Sequence, residues 1–265
     1  MNKVKQIIPH LLTSGNLVCG CLAILHALSG NLIVAAWLVG IAAVLDFFDG
    51  FVARALKVTG EFGKQLDSLA DCVTFGVVPG IVMMVILDNS LCVHQSISAS
   101  TFLSANSNLL VVPPVLPRYS LSYLALLIPV FSAVRLAKFN IDTRQSNSFI
   151  GLPTPANSIF MLSIGYLYAD KNTSSFIQDL IHRIEFLVPV IIIFSFLLIA
   201  ELPLFALKFK NFSWKKNEIR YVFMTLSLLL LLCLKITALP LIILLYLVLS
   251  LADQFFRKKE KSGGG

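Results

Sequence analysis

Long apolar runs follow one another along most of this chain, separated by short segments that carry charged and turn-forming residues. Eight runs approach the ~20 residues that a helix needs to cross a hydrocarbon core of about 30 Å. Backbone polar groups must be hydrogen-bonded inside a bilayer, so each run is predicted to be helical. The predicted spans are residues 8–28, 31–53, 66–87, 119–139, 154–169, 185–207, 220–234 and 237–252.

Composition supports a single membrane domain over residues 1–265. Hydrophobic residues make up 57% of the chain and charged residues only 13%, which excludes an ordinary soluble domain. No segment between the apolar runs is long enough to form a soluble domain of its own. The chain is therefore predicted to be an all-α polytopic membrane protein. Its last residues, 262–265, are interpreted as a tag remnant outside the fold.

Lysine and arginine residues are distributed unevenly among the predicted loops. They cluster near both ends of the chain and in alternate connections, whereas the other connections hold few. Because basic residues are retained on the cytoplasmic side, both termini are predicted to be cytoplasmic, in a multi-pass protein of the inner membrane. The same bias accounts for the net charge of +7, so no nucleic-acid partner is predicted.

Two of the predicted spans carry aspartates at depths where a charge is costly to bury. Asp46 and Asp49 share a helix face, and Asp67 and Asp71 share a face on the next span. The short linker predicts that the two spans are antiparallel neighbours, so the four carboxylates meet near the cytoplasmic ends of their helices. Divalent cations with oxygen ligands would remove the repulsion among them. Two such ions are suited to phosphoryl transfer.

Other interpretations of these acids remain open at this point. The aspartates could form a structural ion-pair network with Arg54, or mark the path of a proton or cation through a transporter. Gly50 and Ala53, on the same helix face, could admit a ligand to the backbone or serve close helix packing. The histidines have no spacing that suits a metal, and none is assigned a role; they are His10, His26, His94 and His182.

The string DFFDGFVARALKVTGEFGKQLDSLAD, residues 46–71, resembles the signature of the CDP-alcohol phosphatidyltransferases at every fixed position. Those positions are Asp46, Asp49, Gly50, Ala53, Arg54, Gly63, Asp67 and Asp71. The resemblance implies a six-helix catalytic core over about residues 8–207, with two additional helices over 220–252. It also implies transfer of a phosphatidyl group from a CDP-linked lipid to an alcohol, with release of CMP.

The resemblance further implies a role for each of these residues. Three aspartates would bind metal, namely Asp46, Asp49 and Asp67. Asp71 would lie at the metals as well and would accept the proton of the acceptor hydroxyl. The site for the nucleotide and diphosphate would be lined by Gly50, Ala53, Arg54 and Gly63. The expected cofactors are two divalent cations, Mg2+ or Mn2+, with Ca2+ as a further candidate.

Two more stretches resemble the phosphatidylserine synthase branch of this family. They are DSLADCVTFGVVPG, residues 67–80, and VRLAKFNID followed by FIGLPTPA, within residues 134–156. The resemblance implies CDP-diacylglycerol as donor, L-serine as acceptor and a homodimer. Serine needs a cation and oxygen acceptors near the metals, and the candidate residues are Thr74, Arg135, Lys138 and Asn140, followed by Arg144.

Some features leave the acceptor open. The branch frequently has serine in place of Thr74 and arginine in place of Lys138, and lysine lacks the bidentate fork of arginine. Glycerol 3-phosphate or inositol phosphate remains an alternative acceptor, because the aspartate signature is shared by enzymes for these alcohols. A cation transporter remains the alternative from a different class. Pro79 predicts a local disturbance in the hydrogen-bond ladder of the third span.

Overall fold

The computed structural model describes residues 2–58, 60–99, 119–141, 149–205 and 217–262. Ten α-helices contain most of these described residues. They are α1 (Asn2–Leu28), α2 (Leu32–Ala55), α3 (Glu61–Asp71), α4 (Val78–Ala99), α5 (Leu127–Ile141), α6 (Thr154–Ala169), α7 (Ser175–Ile181), α8 (Ile184–Ile199), α9 (Glu218–Leu234) and α10 (Ala238–Ser262). The predicted all-α architecture is confirmed.

Each predicted apolar run coincides with one or more of these helices, but not each is a full span. Over the described residues, five stretches are long and apolar enough to cross a membrane, or six if the bent pair of α7 and α8 is one span. α6 has 16 residues and is about 24 Å long, which is shorter than the hydrocarbon core. The stretch Glu218–Asp253 counts once, yet it contains both α9 and α10. The protein is a multi-pass membrane protein.

The last two helices form a hairpin. Lys235 follows α9 with a φ of +52°, which is uncommon for a residue with a side chain, and a short 3-10 turn then leads into α10. The ring centroids of Phe223 on α9 and Tyr246 on α10 lie 5.8 Å apart, so the helices run back along each other. Phe205, which precedes α9, contacts both rings.

The third predicted span is built from two helices joined by a π-helical turn. That turn covers Cys72–Val77, between α3 and α4, and Pro79 is the second residue after it. The predicted disturbance is therefore located just before the proline, where the missing N–H weakens the α-helical ladder. Here α5 packs closely: a Cβ placed at Gly80 would lie 2.7 Å from Pro129 Cδ. Among the described spans, this one is the most buried.

α1 packs against both α2 and α3. α2 and α3 are neighbours whose backbones approach each other at few points. Their acidic side chains meet across the gap, as described below.

A two-residue strand pair connects the segment before α6 with the end of α8. β1 (Phe149–Ile150) pairs antiparallel with β2 (Pro203–Leu204), with Phe149 opposite Leu204. Gly151 follows with a φ of +79°, and a Cβ there would lie 2.8 Å from the Leu198 carbonyl oxygen. This close approach requires glycine.

Candidate active site

Two aspartates lie near the end of α2, on the side that faces the gap. Asp49 is only 6% exposed, and Asp46 is half-buried one turn earlier. Asp49 accepts a hydrogen bond from the hydroxyl of Thr13 on α1 at 2.5 Å. A carboxylate buried this deeply in a membrane helix needs such partners, because desolvation is otherwise uncompensated.

Carboxylates from α2 and α3 converge on one point. Asp46, Asp49 and Asp67 each offer an oxygen, and the three oxygens lie within 4.8 Å of one another. Asp46 is also close enough to Asp67 and to Asp71 for hydrogen bonds between the side chains. The structure thus brings the four predicted acids together, with three in a tight group and Asp71 beside Asp46.

Asp71 has a hydrogen-bond donor of its own on α1. The side-chain amide of Asn16 donates to Asp71 Oδ1 at 3.2 Å, and Asn16 is fully buried. The backbone carbonyl oxygen of Asn16 in turn accepts a hydrogen bond from the hydroxyl of Thr74 at 3.2 Å. One residue of α1 therefore links the last aspartate of α3 to the π-helical turn.

Sequence reasoning missed the contribution of α1. Thr13 and Asn16 were given no role, and His10 was set aside, yet the three residues recur at three-residue spacing in an apolar helix. His10 packs on α3: a Cβ at Gly63 would lie 3.1 Å from His10 Cε1, and the ring of Phe62 meets His10 edge-on. A polar face on an otherwise apolar membrane helix was the signal that could have identified them.

A comparison with protein families shows to which family the chain belongs. The model of the family described as CDP-alcohol phosphatidyltransferase matches residues 6–252. The chain belongs to this family. The resemblance predicted from residues 46–71 is confirmed, and the four aspartates of the CDP-alcohol phosphatidyltransferase signature are the ones that meet in the structure.

Several curated relatives carry the name CDP-diacylglycerol--serine O-phosphatidyltransferase. One from Helicobacter pylori is 33% identical over 174 residues, which are 63% of this chain and 62% of that relative. One from Bacillus subtilis is 32% identical over 161 residues, 61% of this chain and 76% of the relative. An archaetidylserine synthase from Methanothermobacter thermautotrophicus is 31% identical over 159 residues, 59% of this chain and 56% of the relative. The chain thus spans less than two thirds of the Helicobacter protein.

The residues at the centre of the carboxylate cluster fit a divalent cation. Hard cations prefer oxygen ligands, and the grouped side chains offer only carboxylate oxygens. Asp67 Oδ1 is buried and finds no hydrogen-bond partner among the described residues, and the same holds for Asn16 Oδ1. Buried oxygens of this kind need a partner, which a bound cation or its hydration water would supply.

The predicted nucleotide and diphosphate residues lie on both sides of the gap. On α2, a Cβ placed at Gly50 would lie 3.8 Å from a terminal nitrogen of Arg54, so the guanidinium extends over the surface that the glycine leaves open. Arg54 is exposed and Ala53 is half-buried. On α3, Gly63 contacts His10 as described above. The position of Arg54 suits an anionic oxygen bound beside Gly50.

Two of the serine-site candidates contact other helices near the aspartates. The side-chain amide of Asn140 on α5 donates to the hydroxyl of Ser68 at 2.8 Å, next to Asp67 in the chain. Thr74 is fully buried, and a Cβ at Gly20 would lie 2.5 Å from its hydroxyl oxygen. The Thr74 hydroxyl is thus occupied in packing against α1, and Asn140 is the candidate that borders the acids.

The remaining candidates are spread more widely. Arg135 is 7% exposed, its Nε has no hydrogen-bond partner in the described part of the chain, and it interacts electrostatically with Tyr246 of α10. Lys138 is exposed on the next turn of α5. Arg144 lies outside the described residues. Of the four described candidates, Asn140 and Thr74 thus contact residues that border the aspartates, whereas Arg135 interacts with α10.

Proposed function

We propose that this protein is a divalent-metal-dependent phosphatidyltransferase that forms phosphatidylserine from CDP-diacylglycerol and L-serine, with release of CMP. The observation that carries the proposal is the convergence of three aspartate oxygens within 4.8 Å, with a fourth aspartate beside them, in a member of this family. The names of the Helicobacter and Bacillus relatives support serine as the acceptor.

In this proposal the metal ligands are Asp46, Asp49 and Asp67, with Asp71 adjacent. Divalent ions bound there would neutralise phosphate oxygens and place the leaving group in line with the attacking one. Thr13 holds Asp49 by the hydrogen bond from its hydroxyl. Arg54 extends over Gly50 and binds a diphosphate oxygen, while Ala53 and Gly63 keep the sides of the nucleotide site free of bulk.

Asp71 is the proposed general base. The serine hydroxyl attacks the lipid-side phosphorus, a new P–O bond forms, and the P–O bond to CMP breaks. The hydroxyl proton passes to the Asp71 carboxylate, and CMP leaves with the electron pair of the broken bond. The Asn16 amide donates to Oδ1 and thereby orients the Asp71 carboxylate that accepts the proton.

The serine itself is proposed to bind between α3 and α5. Asn140, held by Ser68 next to Asp67, offers an amide at the border of the acids. Arg135 supplies a buried cation for the serine carboxylate, and its Nε needs a partner. Lys138 and Thr74 complete the proposed set, Thr74 through its contact with Asn16.

The membrane setting of the reaction is also a proposal. Both termini and the acid cluster are placed at the cytoplasmic face of the inner membrane, from the distribution of lysine and arginine. The signature of the family further implies a homodimer.

An acceptor panel tests the function. Purified protein is given CDP-dioleoylglycerol and one of L-serine, glycerol 3-phosphate or inositol phosphate, with Mg2+, Mn2+, Ca2+ or a chelator. We expect CMP release only with L-serine and a divalent ion. Release with another alcohol would reassign the acceptor. Uptake of metal into sealed vesicles with no CMP chemistry would favour the transporter instead.

The metal assignment is tested by Asp46→Ala. Loss of one of three grouped carboxylates should raise the ion concentration needed for half-maximal CMP release, or abolish activity at any concentration. Asp179→Ala is the matched control, because Asp179 is an exposed acid on the short helix α7. An unchanged ion requirement in Asp46→Ala would contradict the proposed metal site.

A further inference from the structure

An apolar cavity of about 310 Å3 lies between α2, α6 and the turn of the α9–α10 hairpin. On α2 it is lined by Ala36, Gly40 and Ala43, among others, and the hairpin contributes Ile236 and Leu239. Its size is at the lower end of the range for sites that bind small molecules.

The lining of the cavity suits hydrocarbon and little else. The hydroxyl of Ser163 on α6 is already bonded, donating to the Ile159 carbonyl oxygen at 2.5 Å. At Gly40 no described atom lies within 4 Å of an added Cβ, so the open volume reaches the helix backbone itself. A peptide segment in such a cavity would bury backbone groups without partners, which a hydrocarbon chain does not.

The cavity lies on the same face of α2 as the first aspartate of the carboxylate cluster. Ala36, Gly40 and Ala43 share a helix face at spacings of four and three residues, and Asp46 follows three residues after Ala43. At 1.5 Å per residue, the lining begins about 4.5 Å from Asp46 along the helix axis and extends to about 15 Å from it. Gly50 and Arg54 extend the same face in the other direction.

We propose that this cavity binds one acyl chain of the lipid substrate. The inference rests on the proposed function: with the diphosphate held at the aspartates and Arg54, one tail of the same lipid runs along Ala43, Gly40 and Ala36. Ile236 and Leu239 close the cavity from the hairpin. The last two helices thereby take part in substrate binding, and the cavity sets a preferred chain length.

The first test fills the cavity from α2. At Gly40 an added Cβ meets no described atom within 4 Å, so we expect the fold to tolerate Gly40→Leu, while the room for a tail is lost. We expect the ratio of kcat/KM for CDP-dioleoylglycerol to that for CDP-dioctanoylglycerol to fall at least threefold. Ala133→Leu is the control, because Ala133 is an exposed small residue on α5, outside the cavity. An equal ratio in wild type and Gly40→Leu would overturn the inference.

A second variant fills the cavity from the hairpin. Leu239→Trp adds bulk at the opposite wall, and it should shift the chain-length ratio in the same direction as Gly40→Leu. If the chain-length ratio changes in Gly40→Leu but not in Leu239→Trp, the role of the α9–α10 hairpin in binding the acyl chain is overturned.

Binding without turnover separates this inference from the proposed function. Trp37 lines the cavity, and the one other tryptophan is removed by Trp214→Phe. CDP-diacylglycerol with brominated tails, at low mole fraction in nanodiscs, should quench Trp37 saturably, and Gly40→Leu should abolish the saturable part. Saturable quenching without CMP release on any acceptor would support the acyl site and contradict the function. Normal CMP release without saturable quenching would contradict the acyl site alone.

Discussion

Asp71 differs from the three grouped aspartates in its partner and in its proposed role. It accepts a hydrogen bond from Asn16 and lies beside Asp46. Asp71→Asn should retain binding of CDP-diacylglycerol, while turnover falls by about 100- to 10,000-fold, the usual cost of a missing general base. Binding is measured by displacement of labelled CDP-lipid, and turnover by CMP release. CMP release close to that of the wild type would refute the assignment of the base.

Thr13 offers a test of how the carboxylates are held. Thr13→Val keeps the shape of the side chain but removes the hydroxyl that donates to Asp49. A hydrogen bond to a charged group contributes about 1.5–3 kcal/mol, so the Mg2+ concentration for half-maximal CMP release should rise by about 10- to 150-fold.

Thr13→Ser is the matched control for this effect. It keeps the hydroxyl while removing the methyl group, and it should restore the ion requirement of the wild type. Equal ion requirements in Thr13→Val and the wild type would show that Asp49 does not depend on this donor.

At the scale of single residues, the sequence predicted the four aspartates but not the residues that donate hydrogen bonds to them. Asp46, Asp49, Asp67 and Asp71 were found because fixed spacing places carboxylates on one helix face. Thr13 and Asn16 were missed because a single short polar side chain in an apolar helix is compatible with simple packing. Because α1 packs against both acidic helices in the structure, Thr13 and Asn16 are seen to donate hydrogen bonds to Asp49 and Asp71.

Among the elements, the third span is where close packing is most demanding. α4 and α5 meet at Gly80, where a Cβ would lie 2.7 Å from Pro129. Gly80→Ala should therefore destabilise the protein by about 1–3 kcal/mol through overpacking, seen as a lower thermal unfolding midpoint in the same detergent. Gly40→Ala is the control, because no described atom lies within 4 Å of its added Cβ. Similar midpoints for the two variants would contradict this packing.

The apolar runs predicted where the helices lie along the chain, but they did not predict which helices pack against each other. Pro79 predicted a disturbance in the third span, but a proline alone does not choose between a bend and a π-helical turn. The short linker between the acidic helices predicted that they are antiparallel neighbours, but it did not predict how closely their backbones pack. In the structure α1 packs against both, because a connection limits the distance between helix ends and not the contact along their length.

For the molecule as a whole, orientation in the membrane is the prediction that most needs a test. In a version without the native cysteines, Asn31→Cys and Lys57→Cys place single thiols in the exposed turns at the two ends of α2. A membrane-impermeant maleimide should label Asn31→Cys in intact cells, and label Lys57→Cys only after permeabilisation. The reverse pattern would place the acid cluster on the outer face.

Contacts between distant parts of the chain were the least predictable feature. Arg135 was chosen from its depth in the fourth predicted span, and its electrostatic partner Tyr246 lies on the final helix. The Tyr246 hydroxyl also donates to the Phe205 carbonyl oxygen at 3.0 Å. Apolar periodicity identifies a hairpin as membrane-embedded, but it does not indicate which core helix that hairpin touches.

The packing of α1 against two acidic helices makes the width of the gap between them depend on a third element. Helices tilt to match the hydrocarbon around them, at a cost of fractions of a kcal/mol per Å of mismatch. A tilt of α1 would carry Thr13 and Asn16 with it and change the spacing of the carboxylates they hold. The thickness of the surrounding bilayer is therefore expected to regulate the rate of the proposed phosphatidyl transfer.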